Sequence, residues 1–179
     1  MPWNVVNLSF PSDARDGVVG AAEDSAGTGA RRRQTQASER SMSLHVSKLR
    51  GISNQVRNRL KRHGVTYTHQ LLDAAGRLAN RRELAMRSGI EEAVLLRLTC
   101  RADLARIKGI GAIFADMLEL MGVDRVSSLA EHDPARLYEI LHELNAAERF
   151  ARRAPTQDEV ANWVAQARTL PHLVDPGSR

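Results

Sequence analysis

The sequence predicts an all-α chain, and three observations lead there. Apolar residues recur at helical spacing from Ser43 onward, and nowhere does a period of two persist. Aromatics make up 4% of a chain that is 42% apolar, so its core is mostly Leu, Val, Ile and Ala, which suits packed helices better than a β-sandwich. The chain also repeats itself. KLRGISNQVRNRLKRHGVTYTHQLL (48–72) lies over RIKGIGAIFADMLELMGVDRVSSLA (106–130) at a constant offset of 58 residues. Gly51 meets Gly109, Ile52 meets Ile110, Leu60 meets Leu118, Gly64-Val65 meets Gly122-Val123, and Leu71 meets Leu129. Both copies read as helix, tight Gly-containing turn, helix, glycine stop, helix. A looser echo follows each copy, LLRLTCRADL against VANWVAQARTL.

Taken in order, residues 1–42 read as a disordered tail. SDARDGVVGAAEDSAGTGARRRQTQASERS is rich in Gly, Ala, Ser and charge, and buries too little to offset its ordering entropy. Met42, just ahead of the first periodic segment, is a candidate physiological start. LHVSKLR leads into Gly51, and NQVRNRLKRHG is a helix ended by Gly64. Thr66 or Thr68 caps a helix through residues 71–72, and RRELAMRSG (81–89) stops on another glycine. IEEAVLLRLTCRADLARI carries a helical apolar spacing with a break expected near Cys100.

AIFADMLELMG ends at Gly122, and Asp124 is the expected cap of VSSLA. Asp133-Pro134 is an N-cap with proline at the first helical position. Thr156 and Glu159 match the capping box that opens EVANWVAQARTL, which Pro171 stops. Trp163 sits among Val160, Val164 and Ala167 at helical spacing and reads as core.

Charge is unevenly placed. Residues 48–108 carry 14 Lys/Arg against 5 Asp/Glu, net +9, whereas residues 109–179 carry 7 against 11, net −4. Such an asymmetry implies either a polyanionic partner or attraction between the halves. The lone Cys100 excludes an internal disulfide, fits a reducing compartment and reads as a small buried hydrophobe. No apolar run is long enough for a bilayer, and the N-terminus lacks the pattern of a secretory signal, so a cytoplasmic location is expected. The six histidines show no metal-ligand spacing, Glu91-Glu92 and Asp158-Glu159 read as first-turn residues complementing helix dipoles, and no phosphate loop or nucleophile elbow occurs. No enzyme, metal or cofactor is expected.

Lys108-Gly109-Ile110-Gly111, with Ala115 four residues beyond the second glycine, resembles the helix-hairpin-helix motif. ADLARIKGIG, the Gly-Val step after each hairpin and the closing VANWVAQAR are similar to the domain of unknown function 4332 family, a bacterial group carrying such hairpins in tandem, over about residues 44 to 170. The resemblance implies SAM-like tandem hairpins in one compact helical domain, with a first, basic repeat at 43–105, a second, mildly acidic one at 106–171, and a C-terminal tail at 172–179. It further implies a DNA-related role in which the hairpin grips the backbone without reading bases.

The two copies divide the features of such a grip. The second has the glycines but puts Ala112 and Ile113 after them, so Lys108, Gly109, Ile110, Gly111 and Ala115 read as mainly structural. The first has Ser53 for the second glycine and Arg57 for the small residue, yet is ringed by cations. Its Lys48, Arg50, Gly51, Ser53, Asn54, Gln55, Arg57, Arg59, Lys61 and Arg62 are the expected nucleic-acid contacts, with the amides of Ser53, Asn54 and Gln55 on a phosphate. The expected activity is sequence-tolerant, non-enzymatic DNA binding, and the alternative is a protein-interaction scaffold that binds no nucleic acid and pairs with a protein partner or with a second copy of the chain through the segregated charge.

Overall fold

The computed structural model describes residues 43–177. The expectations for residues 1–42, a start at Met42 included, fall outside them. The described residues form eight α-helices: α1 (Asn54–Arg62), α2 (Thr68–Ala75), α3 (Leu78–Ser88), α4 (Glu92–Leu104), α5 (Ala112–Leu120), α6 (Val126–Ala130), α7 (Pro134–Glu148) and α8 (Gln157–Thr169). No strand occurs among the described residues, only an isolated bridge between His45 and Tyr67. The chain is all-α.

Several helix starts follow from local chemistry. The Ser53 hydroxyl accepts the Val56 amide, Asp133 accepts the Arg136 amide ahead of Pro134, and Thr156 and Glu159 form the reciprocal box that opens α8. Other starts are set by residues far away in sequence. The expected cap of α6, Asp124, does not serve; the Asp103 carboxylate of α4 accepts the Val126 amide at 2.9 Å instead. Neither Thr66 nor Thr68 caps α2. Gln70 reaches back to the amides of Thr66 and Tyr67, and the Thr68 hydroxyl accepts the Leu44 amide. Nor is α4 broken near Cys100: it runs unbroken from Glu92 to Leu104, burying Leu95, Leu98, Thr99, Cys100 and Ala102 along it, and the Thr99 hydroxyl is satisfied by the Leu95 carbonyl at 2.7 Å.

The sequence repeat has a structural counterpart. α1 and α5 start 58 residues apart, as do α2 and α6. Gly51 and Gly109 both have positive φ, +77° and +99°, and so do Gly64 and Gly122, +78° and +80°. The amide of Val65 bonds to the Leu60 carbonyl and that of Val123 to the Leu118 carbonyl, closing α1 and α5 identically. One difference stands out: α4 precedes the second corner, whereas a single 3₁₀ turn, Val46–Lys48, precedes the first.

The looser echo is also real. Leu95, Leu98, Thr99 and Ala102 of α4 are buried, and so are Val160, Trp163, Val164 and Ala167 of α8, each pair 65 residues apart. Each of these helices closes its own core. Val46, Leu60, Leu71, Leu84, Leu95 and Ala102 belong to the first core, and Leu104, Met117, Leu129, Leu137 and Trp163 to the second. The division falls inside α4, so one rigid helix serves both units.

Residues 172–177, read from the sequence as tail, run back across the first unit. Val174 joins the first core, and the Asp175 amide bonds to the Gly76 carbonyl at 2.9 Å. The Asp175 carboxylate accepts the Leu78 amide and an Arg77 guanidinium, which hold its carboxyl below the usual range and cap α3 from outside the helix. Proline and glycine leave this stretch no periodicity to read, and its partners lie almost a hundred residues away.

Candidate nucleic-acid interface

Charge is where the first corner departs from its surroundings. Between Glu39 and Asp73 the chain has no carboxylate side chain. α1 buries Leu60 and half-buries Val56, which turns Asn54, Asn58, Lys61 and Arg62 onto the opposite, solvent face at spacings of four, seven and eight. Arg57 and Arg59 are half-buried along its flanks, and Arg59 donates to the Gly89 carbonyl at 2.5 Å. Lys48, Arg57, Lys61 and Arg62 have no carboxylate partner among the described residues.

The backbone of this corner is open. Ser53 occupies the Val56 amide, and the first carbonyl-bonded amide of α1 is that of Arg57. Among the described residues the amides of residues 50–55 donate to no protein group. These amides lie at the positive end of α1, around Gly51 in the left-handed region.

Arg50 is placed differently from the other expected contacts. It pairs with Asp116 of α5, while Arg101 of α4 donates to the Arg50 carbonyl and holds Glu119 through two bonds of 2.6 and 2.7 Å. Asp116 and Glu119 are therefore neutralised at the seam between units, and part of the charge asymmetry is internal attraction. Arg101 was missed in the sequence. Its signal is the echo with α8, because Gln166, 65 residues on, likewise clasps the second corner through the Lys108 amide and carbonyl.

The second corner is tighter. Ile110 is buried and Ala115 half-buried against the second core, while Gly109 lies on the Trp163 indole, so close that a Cβ there would sit 2.6 Å from Nε1. Lys108 and Gly111 are exposed, and Gly111 has no side-chain cap to offer.

Chemically reactive groups lie elsewhere or are quiet. Among the described residues no group of His, Cys, Asp and Glu could hold a metal ion, and no helix is long and apolar enough to cross a membrane. Burial, then the neighbouring Asp124, pushes the Cys100 thiol up to about 12. Iodoacetamide at mildly alkaline pH should therefore leave Cys100 unmodified in the native protein and alkylate it in denaturant, as read by mass spectrometry; rapid native labelling would contradict its placement. Burial likewise raises the Asp103 carboxyl, against the lowering pull of the Val126 amide and Arg106.

The chain's comparisons with known proteins give one result. A family model described as domain of unknown function (DUF4332) matches residues 50–170. Neither the curated proteins nor the solved structures give a match.

Proposed function

The chain belongs to the DUF4332 family, and from that premise and the geometry of its first unit we propose that it is a non-enzymatic DNA-binding module acting in the cytoplasm. In this reading it grips the phosphate backbone as a helix-hairpin-helix protein does and leaves base edges unread. One observation carries the reading. A stretch free of carboxylates presents six cations (Lys48, Arg50, Arg57, Arg59, Lys61 and Arg62) around a glycine corner whose amides at 50–55 have no protein acceptor among the described residues. Arg50 shares its charge with Asp116, and the other five have no carboxylate partner among the described residues. The second corner, with Ala112 and Ile113 exposed and Gly109 on Trp163, supports the first rather than gripping.

Affinity in this mode comes chiefly from counterion release, at a slope of about −0.9 per neutralised phosphate. Five or six contacts give a slope of about −5, so binding to duplex should fall about 10³-fold between 50 and 200 mM salt. Changing Arg57, Lys61 and Arg62 together to Glu should abolish it, and circular dichroism should report the helices intact. Unchanged affinity in that variant, or binding that survives high salt, would refute the assignment. The scaffold reading is favoured by the exposed Leu120 and Phe150 beside the seam; pull-down of a protein partner with no duplex binding at low salt would select it.

A further inference from the structure

Beside the first corner, Arg50, Gly51, Val94, Arg97, Leu98 and Arg101 enclose a cleft of about 130 Å³. Water occupies about 30 Å³ per molecule in the liquid, so there is room for one tetrahedral oxyanion. Val94, Arg97, Leu98 and Arg101 share one side of α4, which brings two guanidinium groups to the glycine from a helix outside the 48–72 hairpin segment. Gly51 keeps the cleft open, since a Cβ there would come within 3.1 Å of the Arg101 guanidinium.

The charges do not balance. Asp116 lies against Arg50 and Arg101, and Glu119 against Arg101, all on the α5 side of the seam. Arg97 is exposed and has no hydrogen-bond or ion-pair partner among the described residues. Three guanidiniums thus converge over two carboxylates, partly walled by Val94 and Leu98, which weakens solvent screening. An oxyanion would complete the set, and arginine's planar fork matches a phosphate through two parallel bonds.

We propose that this cleft binds one phosphate group, supplied by the nucleic-acid strand that the first corner grips, with Arg97 as the determinant that the hairpin itself does not contain. The assignment rests on the DNA-binding reading for the source of the phosphate but not for the site. It extends the strand's path from α1 across Gly51 onto α4.

Two measurements on the full chain separate these levels. In salt titrations with a random-sequence duplex, Arg97→Gln should flatten the slope by about one and weaken binding several-fold. Arg87→Gln, which removes the same charge from the exposed face of α3, should leave the slope unchanged. In ¹⁵N-resolved spectra, inorganic phosphate should shift the Gly51 amide and the Arg97 side-chain resonance, and the Gly51 shift should vanish in Arg97→Gln. If the two variants behave alike on duplex and phosphate shifts neither resonance, the cleft assignment is overturned while duplex binding by the unaltered chain still stands. If phosphate shifts Gly51 but the unaltered chain binds no duplex, the cleft takes a free oxyanion, and both the strand as source and the DNA-binding reading fall.

Discussion

Changing Arg81 to Leu is expected to cost the fold about 3–5 kcal/mol. Arg81 is fully buried in α3, and its guanidinium donates to the carbonyls of Ala75 (3.0 Å) and Gly76 (3.1 Å) at the end of α2. It also donates to those of Asp175 (3.2 Å) and Pro176 (3.4 Å) in the C-terminal strap, and Nε lies 3.7 Å from a Glu92 oxygen without hydrogen-bonding it. Leucine would leave these acceptors without their donor and Glu92 with only Arg82 nearby. A domain of this size is stable by about 5–15 kcal/mol, so the loss would be a large share. Urea unfolding monitored by circular dichroism measures it; a loss below about 1 kcal/mol would mean that the strap is not held from inside the first unit. Asp175→Ala, which removes an exposed cap and ion pair, should cost only about 1 kcal/mol.

The second large effect separates two glycines that look equivalent in Gly109-Ile110-Gly111. Gly109→Ala should destabilise by about 2–5 kcal/mol, since it puts a side chain at φ +99° and drives a methyl into the Trp163 indole. Gly111→Ser should be neutral or stabilise by a few tenths of a kcal/mol. Gly111 has φ −84°, ψ 177° with open space around it, and it stands at the N-cap of α5, where a hydroxyl can accept an amide. The chain already contains that experiment: Ser53, 58 residues earlier, is the N-cap of α1 and accepts the Val56 amide. Equal losses at positions 109 and 111 would refute this division of roles. In a Trp3→Phe background, where Trp163 is the sole indole, fluorescence should move with Gly109→Ala and stay put with Gly111→Ser.

Much of the architecture was legible beforehand. Glycine stops at 64, 89 and 122, the Asp133-Pro134 start and the Thr156–Glu159 box are short-range signals, and each closes or opens a helix in the structure. Trp163 and Cys100 are buried, as their spacing indicates. Where reading failed, the partner was distant. Asp103 supplanted Asp124 because α4 runs past the start of α6, and the strap escaped notice because Arg81 reaches it across more than ninety residues. The basic stretch around α1 was visible as composition, but only the structure separates Lys61 and Arg62 on the solvent face from Arg57 and Arg59 on the flanks, turns Arg50 to Asp116 and brings in Arg97, which was not singled out at all.

By itself, the sequence determined the helical class, the helix ends marked by glycine, Asp133-Pro134 and the Thr156–Glu159 box, the duplication and the carboxylate-free region, because each depends on φ, on capping or on periodicity within a few residues. Only the tertiary structure decided which charges cancel at the seam and which remain for a partner. An ion pair depends on distance in space, and the packing of α4 across both cores sets those distances.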